Sequence, residues 1–196
     1  MALLPSWNGE ESSSKADEQY PLLDCAAVVS LHACGAASDL SMEAAVRNNV
    51  PFAISPCCIG SVNKSRTSLL PGSMPNVSPG ERSARPPELS YPRSTWLHDA
   101  VSVDEYRMLA SAADYGLGTS NEELDKQEIA RRWRGRMAKQ IIETDRLQWA
   151  EENGYWIRLV EMPRIGPLYP KRELLLGAKR GSKAAMRIAQ LSTVQQ

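Results

Sequence analysis

The sequence predicts an α/β fold, a partial sheet with flanking helices and a long irregular insertion. Three observations predict it. Between Ala26 and Ile54 an apolar, β-branched run, a sharp turn, a helix-forming stretch and a second apolar run follow one another, which is the order of a βαβ unit. Residues 62–94 hold fifteen Pro, Ser or Gly among 33 positions, the composition of a loop rather than of an element. Toward the C-terminus, two β-type runs flank a short connection rich in Pro and Gly, as in an antiparallel pair.

Taken in order, residues 1–20 read as a loose acidic tail. Ala26–Leu31 is nearly continuous in apolar residues, so a strand buried on both faces is expected. It ends at His32-Ala33-Cys34-Gly35. Ser38 or Asp39 can cap the next helix, which runs to about Asn48. Phe52–Ile54 is the second strand, parallel to the first, and stops at Ser55-Pro56-Cys57-Cys58. Val103–Asp114 reads as a helix. Asn121–Asn153 is a longer one with a break expected near Gly135, and Ile129, Trp133, Met137 and Ile141 form its apolar stripe. Gly154 suits a helix C-terminus. Tyr155–Glu161 and Glu173–Gly177 are the last two strands, and residues 181–196 form a basic, weakly helical tail.

Composition excludes several classes. No run approaches the ~18 apolar residues of a membrane span, and the first residues lack the basic and apolar regions of a secretory signal. Four Cys in 196 residues are too few for a disulfide scaffold, so a cytoplasmic setting with reduced thiols is expected. The 23 basic and 23 acidic residues cancel, but not locally. Residues 1–24 carry five acids and one Lys, whereas Trp156 onward carries eight Lys or Arg and two Glu. Arg131, Arg132, Arg134 and Arg136 surround Trp133. Such a block is either a solvated helix face or a patch for RNA phosphates and bases.

His32, Cys34, Cys57 and Cys58 fall just past two strand ends, where adjacent parallel strands form a ligand crevice. They could be zinc ligands, a Cys nucleophile assisted by His32, or small thiols packing a tight loop. Adjacent Cys side chains are expected to turn poorly onto a single ion.

Val28-Val29-Ser30-Leu31-His32-Ala33-Cys34-Gly35 with Asp39, followed by Ile54-Ser55-Pro56-Cys57-Cys58-Ile59-Gly60, resembles a methyltransferase-like family. That family includes a domain of the glutathione S-transferase C-terminal-domain-containing protein and, more distantly, eukaryotic tRNA 2'-O-methyltransferases. The similarity continues through Tyr91–Ser94, Ala113–Gly116, Glu143–Arg146 and Glu151–Tyr155. The resemblance implies a Rossmann-like class I methyltransferase sheet, with the four strands here as its fourth to seventh, within a domain over 21–180. It implies S-adenosylmethionine as cofactor, bordered by Leu31, His32, Ala33, Cys34 and Gly35. It places Pro56, Cys57 and Cys58 on the methyl-acceptor side, and it offers His32, then Asp39, as the base. No glycine-rich cofactor turn is found. Only about 25 residues precede the first strand, whereas three strands with their helices need roughly 90. The chain therefore reads as the C-terminal half of that fold. The alternatives are a non-catalytic fragment, an interaction module for RNA or protein, or a zinc protein. The first strand is expected as an apolar sheet edge that another chain could cover.

Overall fold

The structure is a computed structural model, described for residues 25–59, 62, 89–115, 125–162 and 172–191. The tail at 1–20, residues 63–88 of the insertion and the Pro/Gly-rich connection over 163–171 lie outside the described residues. Chain order is β1 Val28–Ala33, α1 Ala36–Arg47, β2 Phe52–Pro56, α2 Thr95–His98, α3 Val103–Ala113, α4 Lys126–Glu152, β3 Tyr155–Glu161, β4 Glu173–Lys179 and α5 Lys183–Gln190. Among the described residues the strands form one mixed sheet in the order β1-β2-β4-β3. β1 and β2 are parallel, and β4 is antiparallel to both β2 and β3. The expected parallel unit and terminal hairpin are both present.

Alternation sorts the strand residues onto two faces. On one face, Met42 and Ala45 of α1 and Leu147 and Ala150 of α4 pack against Ala33, Phe52, Ile54, Tyr155 and Leu175. Tyr155 reaches across this layer. Its hydroxyl donates to the Ala45 carbonyl at 2.8 Å, and burial pushes its pKa up to about 12. On the other face, Ala185 and Ile188 of α5 cover Leu176 and Ala178. A separate cluster joins Ile59 and Val62 to Leu97, Tyr106, Ala110, Ala138 and Ile142.

Several elements differ from expectation. β1 runs on through Ala33, and only one of its faces is buried. Val29 is 69% exposed and Leu31 74%, because β1 is an edge strand and α5 reaches only β3 and β4. The register slips between Leu31 and Ala33, with His32 at a φ of 55°. This bulge returns Ala33 to the core face. Neither Ser38 nor Asp39 caps α1. Gly35 occupies the cap position without a side-chain bond; Ser38 instead donates back to the Ala33 carbonyl at 2.9 Å, and Asp39 lies buried in the first turn. β2 extends to Pro56.

The largest difference is α4. It is unbroken at Gly135, and its inward face is not the expected one. Of the expected apolar stripe, Ile129 and Trp133 are exposed, Met137 is 62% exposed and Ile141 is partly buried. The buried face mixes Arg132, Arg136, Lys139, Glu143, Asp145 and Arg146 with Gly135, Ala138, Ile142, Leu147 and Ala150. Helical spacing predicts which residues share a face, but here ion pairs decide which face turns inward. Arg136 pairs with Glu161 of β3, and Lys139 pairs with Glu173 of β4 at 2.8 Å, both fully buried. Gly154, at a φ of 81°, follows α4 as expected.

Gly135 permits close approach rather than a break. A Cβ there would lie 2.6 Å from the Tyr115 Cβ. On an open helix, Gly→Ala gains about 1 kcal/mol. Here overpacking of about 1–3 kcal/mol opposes that gain. Gly135→Ala is expected to lower the urea midpoint, and a raised midpoint would show that Tyr115 does not pack there.

Candidate functional site

The ends of β1 and β2 meet at one edge of the sheet. The Gly35 amide donates to the Cys58 carbonyl at 2.9 Å, tying the two loops together. The Ile59 amide donates to the Asp114 carboxylate at 2.6 Å, anchoring the second loop to the end of α3. The left-handed backbone at His32 turns its carbonyl toward the thiols: Cys34 Sγ and Cys57 Sγ each lie 3.4 Å from it. Cys57 and Cys58 Sγ are 3.8 Å apart. Although reduced thiols are expected from composition, the Cys34 and Cys57 sulfurs are in bonding contact, with Cα atoms 5.4 Å apart, a normal disulfide span. The three sulfurs all lie within 4.8 Å of one another. Cys34 is exposed, Cys57 buried and Cys58 intermediate.

The structure thus brings Leu31–Gly35 and Pro56–Cys58 together, as expected. It leaves the His32 side chain, which is exposed, outside the group of close ligand atoms. The four-ligand zinc set reduces to three Cys.

Beneath these loops lies a buried charge network. Arg146, fully buried, donates from Nε to Asp39 Oδ1 at 3.1 Å and from Nη2 to Oδ2 at 2.9 Å. The same Nη2 donates to the Gly35 carbonyl at 2.9 Å. Burial works against the Arg146 charge, but the Asp39 and Glu143 carboxylates outweigh it and hold its pKa well above the ordinary value. Burial also raises the Glu143 pKa, against the pull of Arg146 and Lys139. The Tyr91 hydroxyl donates to Asp39 at 3.0 Å, and burial, then the Asp39 charge, raises its pKa. Arg93 reaches Glu43 at 3.2 Å and stacks 4.3 Å over Trp149. Asp145 accepts from the Ser94 amide at 2.8 Å and its hydroxyl at 2.6 Å. Both Asp39 oxygens are therefore held by Arg146 at a fully buried position. Sequence reasoning assigned no role to Arg146, Tyr91, Arg93 or Asp145. The available signal was that Tyr91–Ser94 and Glu143–Arg146 both belong to the stretches that carry the resemblance.

The basic block is mostly engaged within the chain. Arg131 and Arg132 share Glu128, at 2.6 Å and 2.8 Å, and Arg136 binds Glu161 and lies 5.2 Å from the Trp133 ring. Arg134 is exposed. Three of the four Arg expected on an RNA patch thus face carboxylates. Among the described residues, no helix is long and apolar enough to cross a membrane.

No protein-family model and no solved structure matches the chain. Curated relatives do. A Drosophila melanogaster protein named "Glutathione S-transferase C-terminal domain-containing protein homolog" is 30% identical over 150 residues, 76% of this chain and 21% of that protein. The "Glutathione S-transferase C-terminal domain-containing protein" of Xenopus laevis is 26% identical over 150 residues, and that of Homo sapiens 26% over 149. The chain spans about a fifth of the length of these relatives. These names correct the expected methyltransferase assignment: they refer to a glutathione S-transferase C-terminal domain, and none of them is that of a methyltransferase. The expectation came from a resemblance carried by short motifs at the strand ends and beyond, and shared local motifs do not by themselves imply an activity. Nor do the residues present fit S-adenosylmethionine by themselves. Residues 31–35 offer no glycine-rich turn, and the nearby Asp39 carboxylate is bound on both oxygens by Arg146. No step through that cofactor is derived.

Two outcomes follow from the charges. Breaking a buried pair costs about 3–5 kcal/mol. Arg146→Leu removes the bidentate cation from buried Asp39, leaving only Arg93 at 3.6 Å, and it leaves Glu143 without its Arg146 partner. It also releases the Gly35 carbonyl, so the thiols are expected to react faster with a disulfide reagent in reduced protein; an unchanged rate would uncouple the network from the loop. Hydrogen bonds from Arg131 and Arg132 lower the Glu128 pKa to about 2. A lowered folded pKa means the contact strengthens the fold above the unfolded value of ~4.3 and is lost as pH falls toward 2. An NMR titration of Glu128 is expected to show that low midpoint, rising toward ~4.3 when both Arg are replaced by Ala.

Proposed function

We propose that this chain is an assembly module that receives an extended, alternately apolar segment of a partner polypeptide along β1. The observation that carries this is the exposure of Val29 and Leu31, 69% and 74%, on an edge strand. Long, flat, apolar edges are sites of strand addition. On this reading the four strands are one flank of a larger, Rossmann-like sheet that continues outward from β1. The parallel β1–β2 pair supports it, since parallel strands are normally buried on both faces. The length of the relatives supports it too: there the matched stretch is about a fifth of a long polypeptide.

Magnitudes indicate how the site would work. Burying the exposed part of the two side chains, 69% and 74%, contributes roughly 2–4 kcal/mol, at or below the low end of the ~4–15 kcal/mol that association costs. The backbone ladder must supply the remainder. A single charge on the strand should then abolish binding.

The test uses hydrogen exchange with six- to eight-residue peptides of alternating Val and Thr. They are expected to protect the β1 amides of the wild-type chain, while Leu31→Lys removes the protection. Scrambled Ser/Asn peptides serve as controls. No protection at millimolar peptide, or equal protection in Leu31→Lys, sinks the reading.

A further inference from the structure

The three thiols at the strand ends have a geometry that edge pairing does not use. We propose that the reduced Cys34–Cys57–Cys58 cluster is a three-thiolate site for a soft, monovalent d10 ion, with copper(I) the fitting case.

Spacing comes first. Three sulfurs bound to one ion at ~2.3 Å in a trigonal plane lie about 4 Å apart. Cys57 and Cys58 Sγ are already 3.8 Å apart, and all three sulfurs lie within 4.8 Å of one another. Neighbouring Cys side chains converge here because the chain turns as it leaves β2, held by the Gly35–Cys58 and Ile59–Asp114 hydrogen bonds. Cys34 is the exposed member, so it can swing away from Cys57 to admit an ion without disturbing the core.

The donor set then selects the ion. Among the described residues, no carboxylate or imidazole joins the cluster. Hard cations such as calcium and magnesium need oxygen ligands. Structural zinc is almost always four-coordinate. Sulfur donors alone, limited to three, suit copper(I). Rigidity favours the same conclusion, since the bulge at His32 and the Arg146 bond to the Gly35 carbonyl fix the first loop. Cys34 immediately precedes Gly35 at the start of α1, and the positive end of a twelve-residue helix favours thiolates. Ala33 and Ile59, both buried, back the site with apolar surface.

Loading is an acid–base step. Three S–H protons leave to solvent, three Cu–S bonds form, and no electron is transferred. Joining Cys34 to Cys57 removes two of the donors, so loading requires the dithiol form.

The experiment titrates the full chain, reduced with a phosphine under anaerobic conditions, with copper(I) supplied as its acetonitrile complex against a chromophoric chelator. One ion per chain is expected, with a sulfur-to-copper absorption band and three sulfur neighbours at about 2.3 Å by X-ray absorption. Cys34→Ser, Cys57→Ser and Cys58→Ser should each weaken binding at least tenfold, while Cys25→Ser, altering a cysteine outside the cluster, should not. Circular dichroism confirms that each variant is folded, and the wild-type absorption spectrum decides the matter if one is not. A stoichiometry near zero, nitrogen or oxygen neighbours, or binding insensitive to all three changes overturns the proposal. So does zinc(II) held more tightly than copper(I). Val29→Lys, which blocks the β1 edge, is expected to leave copper stoichiometry unchanged.

Discussion

The contact between Arg146 and Asp39 holds the described parts of the molecule in register. Neither charge has access to water, and an isolated charge in such surroundings is far too costly to persist, so each is held by the other and by close partners, Glu143 for Arg146 and Arg93 with Tyr91 for Asp39. One guanidinium thereby fixes the long helix α4, the first turn of α1 and the carbonyl of Gly35 at the mouth of the strand-end loops. Tyr91 joins the same carboxylate from the far side of the insertion. Arg93, two residues on, packs on Trp149 of α4. Chain segments separated by 50 residues or more in sequence converge on one anion.

This arrangement explains the neutral net charge better than segregation along the chain does. Arg136, Lys139 and Arg146 of α4 each find a carboxylate on a different element: Glu161 on β3, Glu173 on β4 and Asp39 on α1. Buried pairs of this kind contribute little net stability compared with apolar packing, but they penalise misplacement heavily. α4 is therefore set in rotation and in height by three electrostatic contacts together with the apolar packing of Ala138, Ile142, Leu147 and Ala150. Ile129, Trp133 and Met137, outside that face, are exposed. Trp96, Met137 and Ile141 line a shallow depression there.

How far the fold could be read from the sequence follows from which interactions are local. The β1–α1–β2 unit and the β3–β4 hairpin were legible because alternation, length and turn residues are properties of neighbouring positions. So was the left-handed end of α4 at Gly154. The capping box at Ser102 and Glu105 is equally local. The face of α4 was not legible: Ile129, Trp133 and Met137 obey helical periodicity, and nothing nearby shows that Arg146 will meet an acid 107 residues away. For the same reason Asp39 was read as a cap rather than as the partner of Arg146. The loops carrying Cys34 and Cys57 were legible as neighbours, since parallel strands place their ends together. The separation of the His32 side chain from the thiols was not, because it arises from a backbone bulge. The methyltransferase inference failed at a different level, by taking an activity from a resemblance of short motifs.

The bulge at His32 has a consequence for how the loop and the sheet relate. Leu31 pairs with Ser55, and Ala33 pairs with the very next residue, Pro56. His32 is thus supernumerary to the alternation: strip it out and both flanking residues would still face their proper sides. The end of β1 therefore carries one residue more than its pairing with β2 needs, while the core beneath keeps its phase. The loop that carries Cys34 thus starts one residue further along the chain than an unbulged strand would set it.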